Sequence, residues 1–147
     1  MRQQQKEKPI EVLLVEDSET DVKIILRAFE KQKFSCHVHR VVNGEEALAY
    51  LQHKEKYQDR HKYPDPDIIL LDIHMPRMDG HTFVRELRRS QEKKEIPIIV
   101  FTMKEGMKDI FRIEGVNDYV VKTIDGLDLI GKIKEVLQFK KEFFGND

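Results

Sequence analysis

Glu16, Asp17, Asp72, Thr102 and Lys122 are the residues of this chain whose types and placing suit them to chemistry. Each follows a short strand-like run: Ile10–Val15, Ile68–Leu71, Ile96–Phe101 and Asp118–Val121. A carboxylate cannot continue a buried strand without a partner, so Asp72 marks the point where its strand meets solvent. Turn chemistry follows at once, Met75-Pro76 and then Asp79-Gly80. In open α/β sheets ligands collect at the carboxyl ends of the strands. If these strands are parallel, the polar residues share one edge. Carboxylates drawn together there repel one another. A hard divalent cation removes the conflict, and Mg²⁺, with Mn²⁺ able to replace it, suits an all-oxygen site with few carboxylates. A lysine and a hydroxyl beside it suit an incoming phosphoryl group. The carboxylate that attacks, with Asp72 favoured, becomes an aspartyl phosphate.

The elements that must position these residues alternate. The first strand, Ile10–Val15, leads to a helix capped by Ser18, with Asp21 completing a capping box and Val22, Ile25, Leu26 and Phe29 at helical spacing. Phe34–Val42 reads as an edge strand, and Asn43 caps a helix with Glu46 at its third position and Ala47, Leu48 and Leu51 on one face. His53–Pro66 is polar, long for a connection and closed by prolines: a functional loop or an extension of the second helix. The unbroken apolar runs Ile68–Leu71 and Ile96–Phe101 fit strands buried on both faces. A helix from about His81 to Ser90 separates them, and a short one over Met107–Glu114 precedes the last strand, Asp118–Val121. Asp125 caps a final helix to about Phe144. Strand and helix alternate five times, which predicts an α/β fold: a doubly wound five-stranded parallel sheet with helices on both faces.

Composition narrows the function. The chain has 147 residues, enough for one domain with a core, and a formal net charge of −1, which gives no support for nucleic-acid binding. Cys36 is the single cysteine, so no internal disulfide forms. No apolar run approaches the roughly 18 residues of a membrane span, and the polar opening lacks a signal-peptide core. The expected location is cytoplasmic. The expected organisation is a disordered lead-in over residues 1–9 and one domain over 10–147.

Taken together, these residues resemble a response-regulator receiver domain, from Ile10 to about Leu137. Glu16-Asp17 matches the acid pair, Asp72 with Met75-Pro76 and Asp79-Gly80 the phosphoacceptor motif, and Thr102 the switch hydroxyl. Gly115–Lys122 matches the last strand. The resemblance implies the flavodoxin-like strand order 2-1-3-4-5, phosphoryl transfer from a sensor histidine kinase to Asp72, and a metal held by Glu16, Asp17, Asp72 and the His74 backbone carbonyl. It also implies Lys122 as the phosphate-pairing cation and Tyr119 as the rotating aromatic coupled to Thr102. Such a protein is a signalling phosphoacceptor that assists its own phosphotransfer and dephosphorylation, not an enzyme with an outside substrate. Two positions depart from the family. Thr123 stands where proline follows the lysine, and Met103 where a small residue follows the threonine. These, the charged loop and Phe143-Phe144 resemble single-domain regulators that serve phytochrome-type kinases.

Rival readings fare worse. Glu16-Asp17 would repel phosphate in a flavodoxin-type loop, no phosphate-binding P-loop motif is present, and Asp17-Ser18-Glu19 does not match a D-x-D phosphatase nucleophile. A receiver-like docking module that works without phosphorylation is the remaining alternative, and the complete acid set argues against it. In the last helix Leu127, Ile130, Ile133 and Leu137 form one apolar row, while Leu129, Val136 and Phe143 form a second at heptad spacing. The second row predicts an interaction face, with a homodimer through the last strand and last helix. No histidine shows metal-ligand spacing, and Cys36 reads as a small core residue.

Overall fold

In a computed structural model the described residues are 8–72, 80–90, 95–102, 118–121 and 127–144. The strands are β1 (Ile10–Val15), β2 (Cys36–Val41), β3 (Ile68–Asp72), β4 (Ile98–Thr102) and β5 (Asp118–Val121). The helices are α1 (Glu19–Lys31), α2 (Gly44–Leu51), α3 (Gly80–Arg89) and α4 (Leu127–Phe144). The sheet runs β2-β1-β3-β4-β5 with every pairing parallel.

Alternate strand residues feed two cores, as period-two geometry requires. Leu13, Val15, Ile69, Leu71, Ile98 and Val100 face α2 and α3, packing on Ala47, Leu51, Phe83 and Leu87. Val12, Leu14, Ile68, Leu70, Ile99 and Phe101 face α1 and α4. Burial on both sides explains why β3 and β4, and β1 from Val12 onward, read as apolar runs.

The expected caps are made. Ser18 Oγ accepts from Asp21 N at 3.3 Å, and Asn43 Oδ1 accepts from Glu46 N at 2.8 Å. Helices α1 and α2 end alike. Phe34 N donates to Phe29 O and Lys33 N to Glu30 O; Lys54 N donates to Ala49 O and His53 N to Tyr50 O. These are Schellman closures, which call for a left-handed residue after the cap. Lys33 (φ 52°) and His53 (φ 55°) supply it where glycine is the usual choice.

The segment after α2 is a folded connection, with one 3₁₀ turn at Glu55–Tyr57. Tyr50, Tyr57 and Tyr63 stack against one another with ring centroids 4.9–5.8 Å apart. Tyr57 Oη donates to Glu46 Oε1 at 2.7 Å and Tyr50 Oη to Pro64 O at 2.9 Å. The charged residues around them, Lys54, Lys56, Arg60 and Lys62 among them, are exposed.

Five expectations need correction. Asp72, expected where its strand meets solvent, is 5 % exposed, and β2 spans Cys36–Val41, inside the expected Phe34–Val42. Leu26, placed on the apolar face of α1, is 42 % exposed, because Val22, Ile25, Ala28 and Phe29 already fill the contact with the sheet. β4 starts at Ile98, two residues later than the apolar run, because Pro97 sits outside the ladder and offers only its carbonyl, to Ile69 N at 2.9 Å. The two rows of α4 are not separate faces. Leu129, Ile130, Ile133 and Val136 are all buried in one core, so the stripe facing the sheet is wide enough to take residues of both rows. The helix expected over Met107–Glu114 lies outside the described residues, as does the turn at Thr123.

Candidate functional site

Register brings the acids together. Val15 pairs with Leu71, so the next residues, Glu16 and Asp72, leave adjacent strands side by side. Glu16 N still donates to Val41 O at 3.0 Å, which carries the strand pairing one residue past β1. That holds the Glu16 side chain inside, fully buried, where its Oε2 accepts from Ser18 N at 3.2 Å. Asp17, one residue on, is exposed. Asp72 is the last residue of β3 and is 5 % exposed. One carboxylate oxygen from each of Glu16, Asp17 and Asp72 lies within 4.8 Å of the others. Among the described residues no other group of His, Cys, Asp and Glu gathers in this way.

Three carboxylates at that spacing repel one another, and the two buried ones have limited screening by water. A hard divalent cation fits the donor set: every donor is a carboxylate oxygen, and one of the three residues, Asp17, is exposed. Burial of Glu16 and Asp72 strengthens the attraction for a cation by lowering the local dielectric.

The backbone brings other expected residues to the same edge. Asp72 pairs with Phe101, so Thr102 ends β4 one residue beyond it. Thr102 in turn pairs with Val121, the residue before Lys122. Tyr119 pairs with Val100 on β5. Lys122, His74 and Met103 lie outside the described residues.

Two groups escaped the sequence reading. Arg40, near the end of β2, donates from Nε to Glu16 O at 2.9 Å, from Nη2 to Asp17 O at 3.2 Å and from Nη1 to Glu19 Oε1 at 2.7 Å. The guanidinium holds the Glu19 carboxyl below its usual range, through that hydrogen bond first and its charge second. Nothing in local sequence links residue 40 to residues 16 and 17; the link exists because β1 and β2 are paired. On the opposite face of the sheet His37 Nδ1 and His39 Nε2 lie 2.8 and 2.9 Å from the two carboxylate oxygens of Glu11. Glu11 pairs with His37 across the strands, and His39 is two residues on, on the same face. The two histidines are thus bridged by a carboxylate. Burial, with the Glu11 charge adding to it, pushes the Cys36 thiol up to about 11, which disfavours the thiolate near neutral pH.

Residues 12–134 match the response regulator receiver domain family. The chain belongs to that family. Among curated relatives, the probable methanogenesis regulatory protein FilR2 of Methanothrix harundinacea is 30 % identical, over 90 % of this chain and 84 % of its own. Among solved structures, the phosphorylated cyanobacterial phytochrome response regulator RcpA is 28 % identical, covering 92 % of this chain and 94 % of that one, with a TM-score of 0.68. The Mn²⁺-bound form of response regulator Rcp1 is 27 % identical over the same shares, with a TM-score of 0.67. This receiver is therefore a phosphoacceptor module of two-component signalling, whose partner class is the sensor histidine kinase, and not a turnover enzyme. Its acid group is of the kind that takes a divalent metal. No helix among the described residues is long and apolar enough to cross a membrane.

Proposed function

We propose that Asp72 is the phosphoacceptor and that Glu16, Asp17 and Asp72, with the His74 backbone carbonyl, hold Mg²⁺ (or Mn²⁺ in its place). The observation that carries this is the convergence of the Glu16, Asp17 and Asp72 carboxylates within 4.8 Å. A divalent ion held by these residues would supply positive charge against the incoming phosphoryl oxygens and against the acids themselves. An Asp72 carboxylate oxygen attacks phosphorus in line with the bond to the donor histidine. The P–O bond forms as the P–N bond breaks, and the imidazole leaves with the electron pair and takes up a proton. Lys122 pairs with the transferred phosphoryl group and Thr102 donates a hydrogen bond to it. Tyr119, beside β4, turns inward when Thr102 engages, which changes the surface near β5 and α4. Water attack on the same phosphorus reverses the modification, with the same charges assisting.

A phytochrome-like histidine kinase is the donor, on the likeness to RcpA, and the protein acts in the cytoplasm as one receiver unit over residues 10–147, with 1–9 outside it. A homodimer through β5 and α4 completes the proposal. Since Leu129 and Val136 are core residues, it would draw on the exposed row of α4 at Lys134 and Glu135.

The test is labelling by acetyl phosphate with and without Mg²⁺. Wild type should label only with Mg²⁺, and Asp72→Asn should not label at all. Asp17→Asn should need about tenfold more Mg²⁺ or worse. Full labelling of the Asp72 variant would move the acceptor elsewhere. A wild type that folds yet never labels would favour the docking module.

A further inference from the structure

The face of β2 that meets α1 carries Cys36 and Val38, both packed on the core. Arg40 is next in that row. Its guanidinium side chain is only 24 % exposed. A cation so placed needs its donors satisfied, and it spends them on the acid loop: the Glu16 carbonyl, the Asp17 carbonyl and the Glu19 carboxylate. The ion pair with Glu19 is solvated on the Glu19 side and contributes little by itself. The two carbonyl bonds matter more. The Glu16 carbonyl belongs to the peptide plane before the Asp17 Cα, and the Asp17 carbonyl to the plane after it. One rigid fork holds both, so Arg40 adds to the strand pairing at Glu16 and the helix cap at Ser18 in fixing the direction in which Asp17 leaves the backbone.

From this geometry we infer that Arg40 is a positioning residue for the divalent metal site, acting through Asp17; the inference rests on the metal-binding role given to Asp17 above. The Glu16 carboxylate has its own anchor in Ser18 N. Asp17 is exposed and lies close to two buried acids that repel it. Without a restraint its loop would relax outward whenever the metal is absent. The Arg40 fork opposes that motion and keeps the three acids together before the ion arrives, so binding requires less ordering. Outer groups that orient metal ligands have this effect elsewhere.

The experiment is calorimetric titration of Mg²⁺ into the full chain, alongside thermal melting and acetyl phosphate labelling across Mg²⁺ concentrations. Arg40→Gln should weaken Mg²⁺ binding about tenfold. Labelling should recover toward the wild-type rate at saturating Mg²⁺, a shift in metal requirement rather than in maximal rate. Arg40→Lys should not restore affinity, because one ammonium cannot span both carbonyls in the plane of a fork. Glu19→Gln, which leaves both carbonyl bonds in place, should stay within about twofold. A lower melting temperature with unchanged Mg²⁺ affinity in Arg40→Gln would overturn the inference. If that variant does not fold, wild-type affinity in Arg40→Lys overturns it equally. Asp17→Asn separates the two levels. If it keeps normal Mg²⁺ affinity, the metal role of Asp17 fails and this inference with it. If it loses Mg²⁺ while both Arg40 variants bind normally, only the role of Arg40 fails.

Discussion

Glu11 shows how a single side chain can carry pH dependence away from the phosphorylation site. Burial works to raise its pKa, but the hydrogen bonds from His39 and His37 and their charges together outweigh it, and the carboxyl sits below its ordinary 4.5. A carboxyl whose folded value is depressed binds protons less readily folded than unfolded. Its stabilising contribution is therefore complete above pH about 4.5 and fades as pH falls through the lower folded value. Glu11→Gln removes that contribution. The stability gap between wild type and Glu11→Gln, followed by urea unfolding, should narrow steadily from pH about 4.5 downward. A gap that widens in acid would mean that the pair does not stabilise the fold through its charge. The contrast with Asp72 says why one residue was legible in the sequence and the other was not. Asp72 ends an unbroken apolar run and is followed by Pro76 and Asp79-Gly80, so local sequence pattern alone singles it out. Glu11, His37, His39 and Arg40 look like ordinary polar positions of an edge pair, and acquire meaning only when β1 and β2 are placed in register.

At the scale of the element, the start signals of the helices were easier to read than their ends. Ser18 and Asn43 cap by short local hydrogen bonds that the sequence spells out. The closures of α1 and α2 use Lys33 and His53, residue types that give no sign of a left-handed backbone. A non-glycine residue in that conformation carries a cost of about 1–2 kcal/mol. Glycine relieves it but gives the unfolded chain more freedom, a loss of about 0.4–1 kcal/mol. Lys33→Gly should therefore stabilise the protein by a net amount of about 0.5–1 kcal/mol. Chemical denaturation of the exposed-site variant measures this directly; a destabilised variant would show that the Lys33 side chain has a favourable contact that outweighs its backbone. His53 is the poorer test, because its Nε2 also lies 2.8 Å from Asp65 Oδ1 and helps hold the connection to β3. That connection was ambiguous in sequence for a related reason: its tyrosines are spaced for neither helix nor strand, and they make sense only as a cluster on α2.

For the whole molecule, the central strands β3 and β4 are legible because burial on both faces writes itself as continuous apolar runs, whereas the two expected rows of α4 are not separate faces. Separating the rows of α4 assumed a narrow contact stripe. The core between α1, α4 and the sheet instead takes Leu129, Ile130, Ile133 and Val136 together. This changes what a glutamate at 136 reports. Val136 is 8 % exposed, so Val136→Glu places a carboxylate in an apolar core with no partner built for it. Such a substitution costs several kcal/mol, comparable with about 3–5 kcal/mol for other buried unpaired charges. The variant should lose much of its thermal stability at every protein concentration, and a failure to dimerise by it would say nothing about an interface. Lys134 is exposed, and Lys132 already pairs with Glu135 at 3.5 Å on the same outer side. Lys134→Glu should leave the melting temperature nearly unchanged, since exposed charges contribute about 0–1 kcal/mol. In sedimentation velocity, with beryllofluoride as the phosphoryl mimic, a dimer through α4 should then weaken in Lys134→Glu and keep its strength in a control charge reversal on α1, Lys23→Glu. A wild type that sediments as a monomer at high micromolar concentration, with and without the mimic, would remove the dimer from the proposal and leave Asp72 chemistry untouched.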